Sequence, residues 1–131
     1  MIQNVDQIAI AVDNLEDKIR LYTDLLGAGP DHVEEVESEQ VRIAMFRLGE
    51  TKIELLEGTG AQSPISSFVT KRGPGVHHIA FRVDNIASAI EEYRAKGFVF
   101  IEPAPRPGAG GTSVAFVHPK STGGVLIELV E

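Results

Sequence analysis

The sequence repeats itself. Gln7-Ile-Ala-Ile-Ala-Val-Asp-Asn14 returns as His78-Ile-Ala-Phe-Arg-Val-Asp-Asn85, an offset of 71 residues, and Ile53-Glu54-Leu55 returns as Ile127-Glu128-Leu129, an offset of 74. A chain of 131 residues with two such copies is a tandem duplication, and whatever one half folds into, the other folds into as well.

Each copy opens on a strand pattern. Ile8, Ile10 and Val12 fall on one face and Gln7, Ala9 and Ala11 on the other, the second face being repeated by His78, Ala80 and Arg82. Asn14 and Asn85 then stand as N-caps, because an Asn side-chain oxygen can accept from the free amides of a first helical turn. The apolar spacing becomes helical after them, with Ile19, Tyr22 and Leu26 in the first copy and Ile86, Ile90 and Tyr93 in the second. Gly27 and Gly97 end these helices.

The pattern then predicts strands at about 33–37, 40–48 and 51–57, the last two joined by a Gly49-Glu50 turn, and at about 98–101, 112–117 and 124–130. Ser63-Pro64 followed by Ile65, Phe68 and Val69 predicts a short helix ending near Gly73. The expected organisation is a single α+β domain over 1–131, made of a first module at about 4–58, a helical linker at about 63–73 and a second module at about 75–131.

Composition excludes several kinds of chemistry. Hydrophobic residues make up 43% of the chain and cysteine is absent, so a core can form without disulfides, and any metal must be held by His, Asp, Glu or Gln. The net charge of -7, with acidic residues crowded between Glu34 and Glu39, argues against binding to a nucleic-acid backbone. No stretch reaches the length of a signal h-region or a membrane span, so the expected setting is the cytoplasm with no membrane partner.

Glu54 and Glu128 each interrupt an apolar strand. One such Glu is ordinarily the solvated residue of a half-exposed sheet. Two at equivalent positions favour the other reading, in which a half-buried carboxylate takes a cation, a metal or a proton as partner. In two paired halves, equivalent residues face each other across a pseudo-twofold axis, so Gln7 is expected opposite His78 and Glu54 opposite Glu128. Together they offer an imidazole, an amide oxygen and two carboxylates, a mixed set that suits Co, Mn, Ni, Fe or Zn. His78 alone, even beside His77, would read equally as a structural histidine.

Paired βαβββ modules with such residues on their first and last strands resemble the vicinal oxygen chelate superfamily, in which a curved mixed sheet surrounds a central metal cleft. Within it, Thr51-Lys-Ile-Glu-Leu-Leu56, Gly75-Val-His-His-Ile-Ala-Phe81 and His118-Pro-Lys-Ser-Thr-Gly-Gly-Val-Leu-Ile-Glu-Leu129 resemble methylmalonyl-CoA epimerases, as do Ser63-Pro-Ile65 and Lys71-Arg-Gly73. The resemblance implies a divalent metal, Co2+ first, held by Gln7, Glu54, His78 and Glu128. It also implies epimerisation of (R)- and (S)-methylmalonyl-CoA by α-proton abstraction and return through a metal-stabilised enolate.

Glu128 is the first candidate for the proton-transferring residue, and the opposing acid is open among Glu37, Glu39 and Glu54. Lys71, Arg72, Arg106 and Lys120 are candidates for the anionic parts of an acyl-CoA substrate. A homodimer is implied as well.

The chain departs from the family pattern in three places. Gln7 stands where a His is usual; the strand Val41-Arg-Ile-Ala-Met-Phe46 lacks a carboxylate that at least one member carries; and Gly110 replaces a frequent His in Gly108-Ala-Gly-Gly111, a stretch that by itself reads as a turn. A Gln, Glu, His, Glu set is similar to that of some glyoxalase I enzymes, which makes a lactoylglutathione lyase the alternative, although these carry a shorter turn before the last Glu. A metal-free binding protein of the same fold is a third reading. The run Glu34 to Glu39 also reads as a solvated edge, and His32 and His118 as structural or exposed.

Overall fold

The computed structural model describes residues Met1–Glu131 and contains eight strands of a mixed sheet and three α-helices. The chain forms two compact units, Ile8–His77 and a second made of Met1–Gln7 with His78–Glu131. The first strand, β1 (Ile2–Ala11), contributes its opening residues to one unit and its closing residues to the other. No helix is long and apolar enough to cross a membrane.

In the Ile8–His77 unit, the end of β1 leads into α1 (Leu15–Leu26) and then β2 (His32–Val36), β3 (Val41–Leu48), β4 (Thr51–Gly58) and α2 (Pro64–Arg72). The strand order is β2-β3-β4-β1, with β2–β3 and β3–β4 antiparallel. Asn14 caps α1 by accepting from the Asp17 amide, and Gly27 ends it at φ 83°. Leu15 is buried, and Ile19, Tyr22 and Leu26 pack with it on Val12, Ala44, Phe46 and Leu55. The opposite face of the strands, with Ala9, Ala11, Val41 and Leu56, is covered by Ile65, Phe68 and Val69 of α2.

In the other unit, β5 (Gly75–Val83) leads into α3 (Ile86–Ala95), β6 (Phe100–Pro107), β7 (Ser113–Val117) and β8 (Leu126–Val130). The order here is β1-β5-β8-β7-β6, with β5 and β8 parallel. Asn85 caps α3 through the Ser88 amide, and the Glu131 carboxylate accepts from the Ile86 amide. Ile86, Ala89 and Ile90 pack on Val83, Phe100, Ala115, Val117 and Leu129.

Two boundaries differ from the sequence expectation. α3 ends at Ala95 with Lys96 as C-cap, and Gly97 takes its positive φ of 96° one residue later. β6 runs on to Pro107, although Pro103 and Pro105 can donate no ladder hydrogen bond. It tolerates them because it is the edge strand of its unit and its pairing with β7 is irregular between Ile101 and Arg106.

Candidate active site

Strand alternation turns every second residue away from the helix-packed core. On β8, Ile127 and Leu129 belong to the cluster under α3, so Glu128 projects from the other face, and on β5 His78 and Ala80 share that face. Glu128 and His78 are each only 8% exposed. The His78 Nε2 lies 3.1 Å from Glu128 Oε1 and 3.3 Å from the Gln7 side-chain amide. Gln7 and His78 are the two equivalent positions of the repeat, and they meet as expected.

The His78 Nε2 thus has a donor group on each of two sides, the Gln7 amide and the Glu128 carboxylate. Metal ligands at about 2.0–2.2 Å from a common cation stand about 3.0–3.5 Å from one another in octahedral or tetrahedral geometry, and 3.1 and 3.3 Å lie in that range. A half-turn of the Gln7 amide exchanges its nitrogen and oxygen, so either can face the imidazole. The residues fit a divalent metal. The same 3.1 Å also suits a hydrogen bond from a ring N–H to the carboxylate. Among the described residues no three His, Cys, Asp or Glu side chains are grouped for a metal, and the third polar group beside His78 and Glu128 is the Gln7 amide.

Glu54 lies on β4 in the Ile8–His77 unit. Its neighbours Ile53 and Leu55 pack toward α1, so Glu54, like Glu128, points to the face away from that core. On that face its partner across β3 is Met45, with Ile43 next along the strand. Glu37 and Glu39 are exposed in a single 3-10 turn after β2. His32 pairs with Glu34 at 3.1 Å on exposed β2, and the exposed His118 caps the turn that follows it through the Lys120 amide.

The basic candidates are dispersed. Lys71 and Arg72 are exposed in the last turn of α2, where Arg72 sits 5.7 Å from the Phe68 ring, and Lys120 is exposed in a 3-10 turn before β8. Arg106 is different, because it is partly buried and its guanidinium lies 4.8 Å from the centre of Phe116. Phe116 pairs with Glu128 across β7–β8 and meets the His78 ring edge-on at 5.9 Å. Sequence reasoning did not single out Phe116; the alternation of Val114 and Phe116 with Ala115 and Val117 holds the signal.

The sequence profile of the Glyoxalase/Bleomycin resistance protein/Dioxygenase superfamily matches residues 6–116. The chain is 41% identical to the mitochondrial methylmalonyl-CoA epimerase of Dictyostelium discoideum, over 99% of this chain and 79% of that one. It is 37% identical to the ethylmalonyl-CoA/methylmalonyl-CoA epimerase of Cereibacter sphaeroides, over 98% of each. A methylmalonyl-CoA epimerase variant from Streptomyces coelicolor, solved with 2-nitronate-propionyl-CoA, superposes with a TM-score of 0.90 at 34% identity, over 99% of this chain and 94% of that one. The chain belongs to the methylmalonyl-CoA epimerase family of the glyoxalase/bleomycin resistance protein/dioxygenase superfamily.

Proposed function

We propose that the protein is a methylmalonyl-CoA epimerase, interconverting the (R) and (S) forms by removing and returning the α-proton. The observation that carries the reading is the contact of His78 with both Gln7 and Glu128 in a chain related end to end to epimerases. Gln7, His78, Glu128 and, by its equivalent place in the repeat, Glu54 are the proposed ligands of a divalent metal, with cobalt the first choice and manganese, nickel, zinc or iron compatible with the donor set. When bound, such a metal polarises the thioester carbonyl and offsets the charge that develops as the α-proton leaves.

The chain's own residues carry the proton. Glu128 is the proposed base and Glu54 the proposed opposing acid, one removing the proton and the other returning one. Gln7 fits either as an oxygen ligand or, through its N–H, as a donor to the His78 imidazole. Lys71, Arg72 and Lys120 are proposed to meet the phosphates of coenzyme A from exposed positions at element ends. The two modules are proposed to work as one domain, in a cytoplasmic homodimer.

Proton exchange followed by NMR tests this reading, with methylmalonyl-CoA in deuterium oxide and cobalt-loaded protein. Rapid loss of the α-proton signal is expected, abolished by Glu128→Gln and by stripping the metal. Bound metal without exchange above the uncatalysed rate would overturn it in favour of the lactoylglutathione lyase, the reading that Gln7 among the ligands favours. Neither metal binding nor exchange would leave a metal-free binding protein.

A further inference from the structure

We infer that Arg106 is the residue that selects a thioester bearing a free carboxylate over a plain acyl thioester. The inference rests on the epimerase reading and adds to it a source of substrate specificity.

Residues five apart on an uninterrupted strand point to opposite faces. Ile101 and Arg106 do not, because Ile101 pairs with Phe116 and Arg106 with Val114, only two residues away on β7. The surplus residues of β6 are absorbed in the irregular stretch between them, and Arg106 is turned onto the face that carries Val114, Phe116, Glu128 and His78. There its guanidinium lies over Phe116, the ring that separates it from Glu128 and His78.

Four other arginines are neutralised within the fold: Arg20 by Asp17, Arg42 by Glu16 and Glu57, Arg82 by Asp6 and Arg94 by Glu102. Arg106 has no carboxylate partner, although it is partly buried. A guanidinium lying on an aromatic ring keeps its N–H edge in its own plane, available for a two-pronged bond to a carboxylate. The separations of 4.8 and 5.9 Å, laid end to end, bound its distance from the His78 ring centre at about 11 Å. Coenzyme A phosphates stand a whole pantetheine arm away from the thioester, whereas the carboxylate of a malonyl group stands next to the reacting carbon. A carboxylate substrate beside Glu128 also brings two like charges together, and a cation on the same face offsets their repulsion.

Calorimetric titration with malonyl-CoA, propionyl-CoA and coenzyme A tests the assignment on the wild type, Arg106→Met, Arg106→Lys and Phe116→Leu. Arg106→Met is expected to weaken malonyl-CoA binding about tenfold or more while leaving propionyl-CoA and coenzyme A within about twofold. Arg106→Lys is expected to recover part of the loss, since a lysine keeps the charge without the fork. Phe116→Leu, which removes the platform and keeps the arginine, is expected to lose the same selectivity in smaller measure. Equal weakening of all three ligands by Arg106→Met would overturn the inference by assigning Arg106 to the coenzyme portion, and unchanged affinities would overturn it outright. Either result with exchange intact in the wild type leaves the epimerase reading standing, whereas a wild type that binds neither ester sinks both.

Discussion

Gln40 holds a left-handed backbone at φ 53° and ψ 51°, and it is the one residue other than glycine with a positive φ. The conformation is needed because the chain leaves a 3-10 turn and enters β3 there, with the Gln40 amide bonded to the Glu37 carbonyl and its own carbonyl accepting from Thr59. A side chain in that region costs about 1–2 kcal/mol, and the buried Gln40 Oε1 has no hydrogen-bond partner. Gln40→Gly is therefore expected to stabilise the protein by about 1 kcal/mol after the flexibility cost of glycine, seen as a higher urea midpoint at unchanged m-value. A lower midpoint would mean that the side chain contributes more packing than the backbone loses in strain. At this scale the site was partly legible. The repeat singled out Gln7 and His78 as equivalent positions, and these two meet in the structure; it singled out Glu54 and Glu128 by the same equivalence. For Phe116 the alternation of its strand gives the face it lies on, but an aromatic residue there looks like any core residue until its neighbours are known.

Among the elements, α2 depends on a close approach that the sequence signalled only by its cap. Ser63, fully buried, accepts from the Ile65 and Ser66 amides. Gly58 at the end of β4 lies so close to this turn that a Cβ there would fall 2.7 Å from the Ser66 backbone nitrogen. Ser63→Ala is expected to cost about 1 kcal/mol as a lost N-cap. Gly58→Ala is expected to cost about 1–3 kcal/mol, because backbone must move to admit the methyl. Thermal unfolding of the two variants checks the order, and a Gly58→Ala protein as stable as the wild type would contradict the packing described.

The helices were legible for the same local reasons that form them, namely Asn caps and apolar spacing. β6 was not legible past Ile101, because its course is fixed by pairing with β7, and prolines at 103 and 105 mask it. Arg42 joins three elements by bonding Glu16 of α1 and Glu57 of β4. Its hydrogen bond to Glu16 holds that carboxyl below its ordinary value of 4.5. A depressed carboxyl stabilises above its unfolded pKa and loses that contribution as pH falls through the folded value. The stability gap between wild type and Glu16→Gln is accordingly expected at pH 7, narrowing below 4.5 and closing as the pH falls through the lowered folded-state value. A gap that persists in acid would mean that charge is not its source.

At the scale of the whole molecule, the ligand residues of the proposed metal centre come from places far apart in sequence: Gln7 on β1, Glu54 on β4, His78 on β5 and Glu128 on β8. An unfolded chain cannot hold them together, so a metal that binds them binds the native state and shifts the folding equilibrium toward it. At a free metal concentration about one hundred times the dissociation constant, one such site adds about 2.7 kcal/mol. For a domain of this size that corresponds to a rise of about 10 °C in Tm. Cobalt chloride added to chelator-treated wild type is expected to produce that rise, and His78→Ala is expected to abolish it. Glu54→Gln separates two versions of the centre. If Glu54 is a ligand, the rise shrinks in that variant as it does in Glu128→Gln; if the full rise survives, the metal is held by Gln7, His78 and Glu128 alone, and Glu54 is left free to act only as the acid.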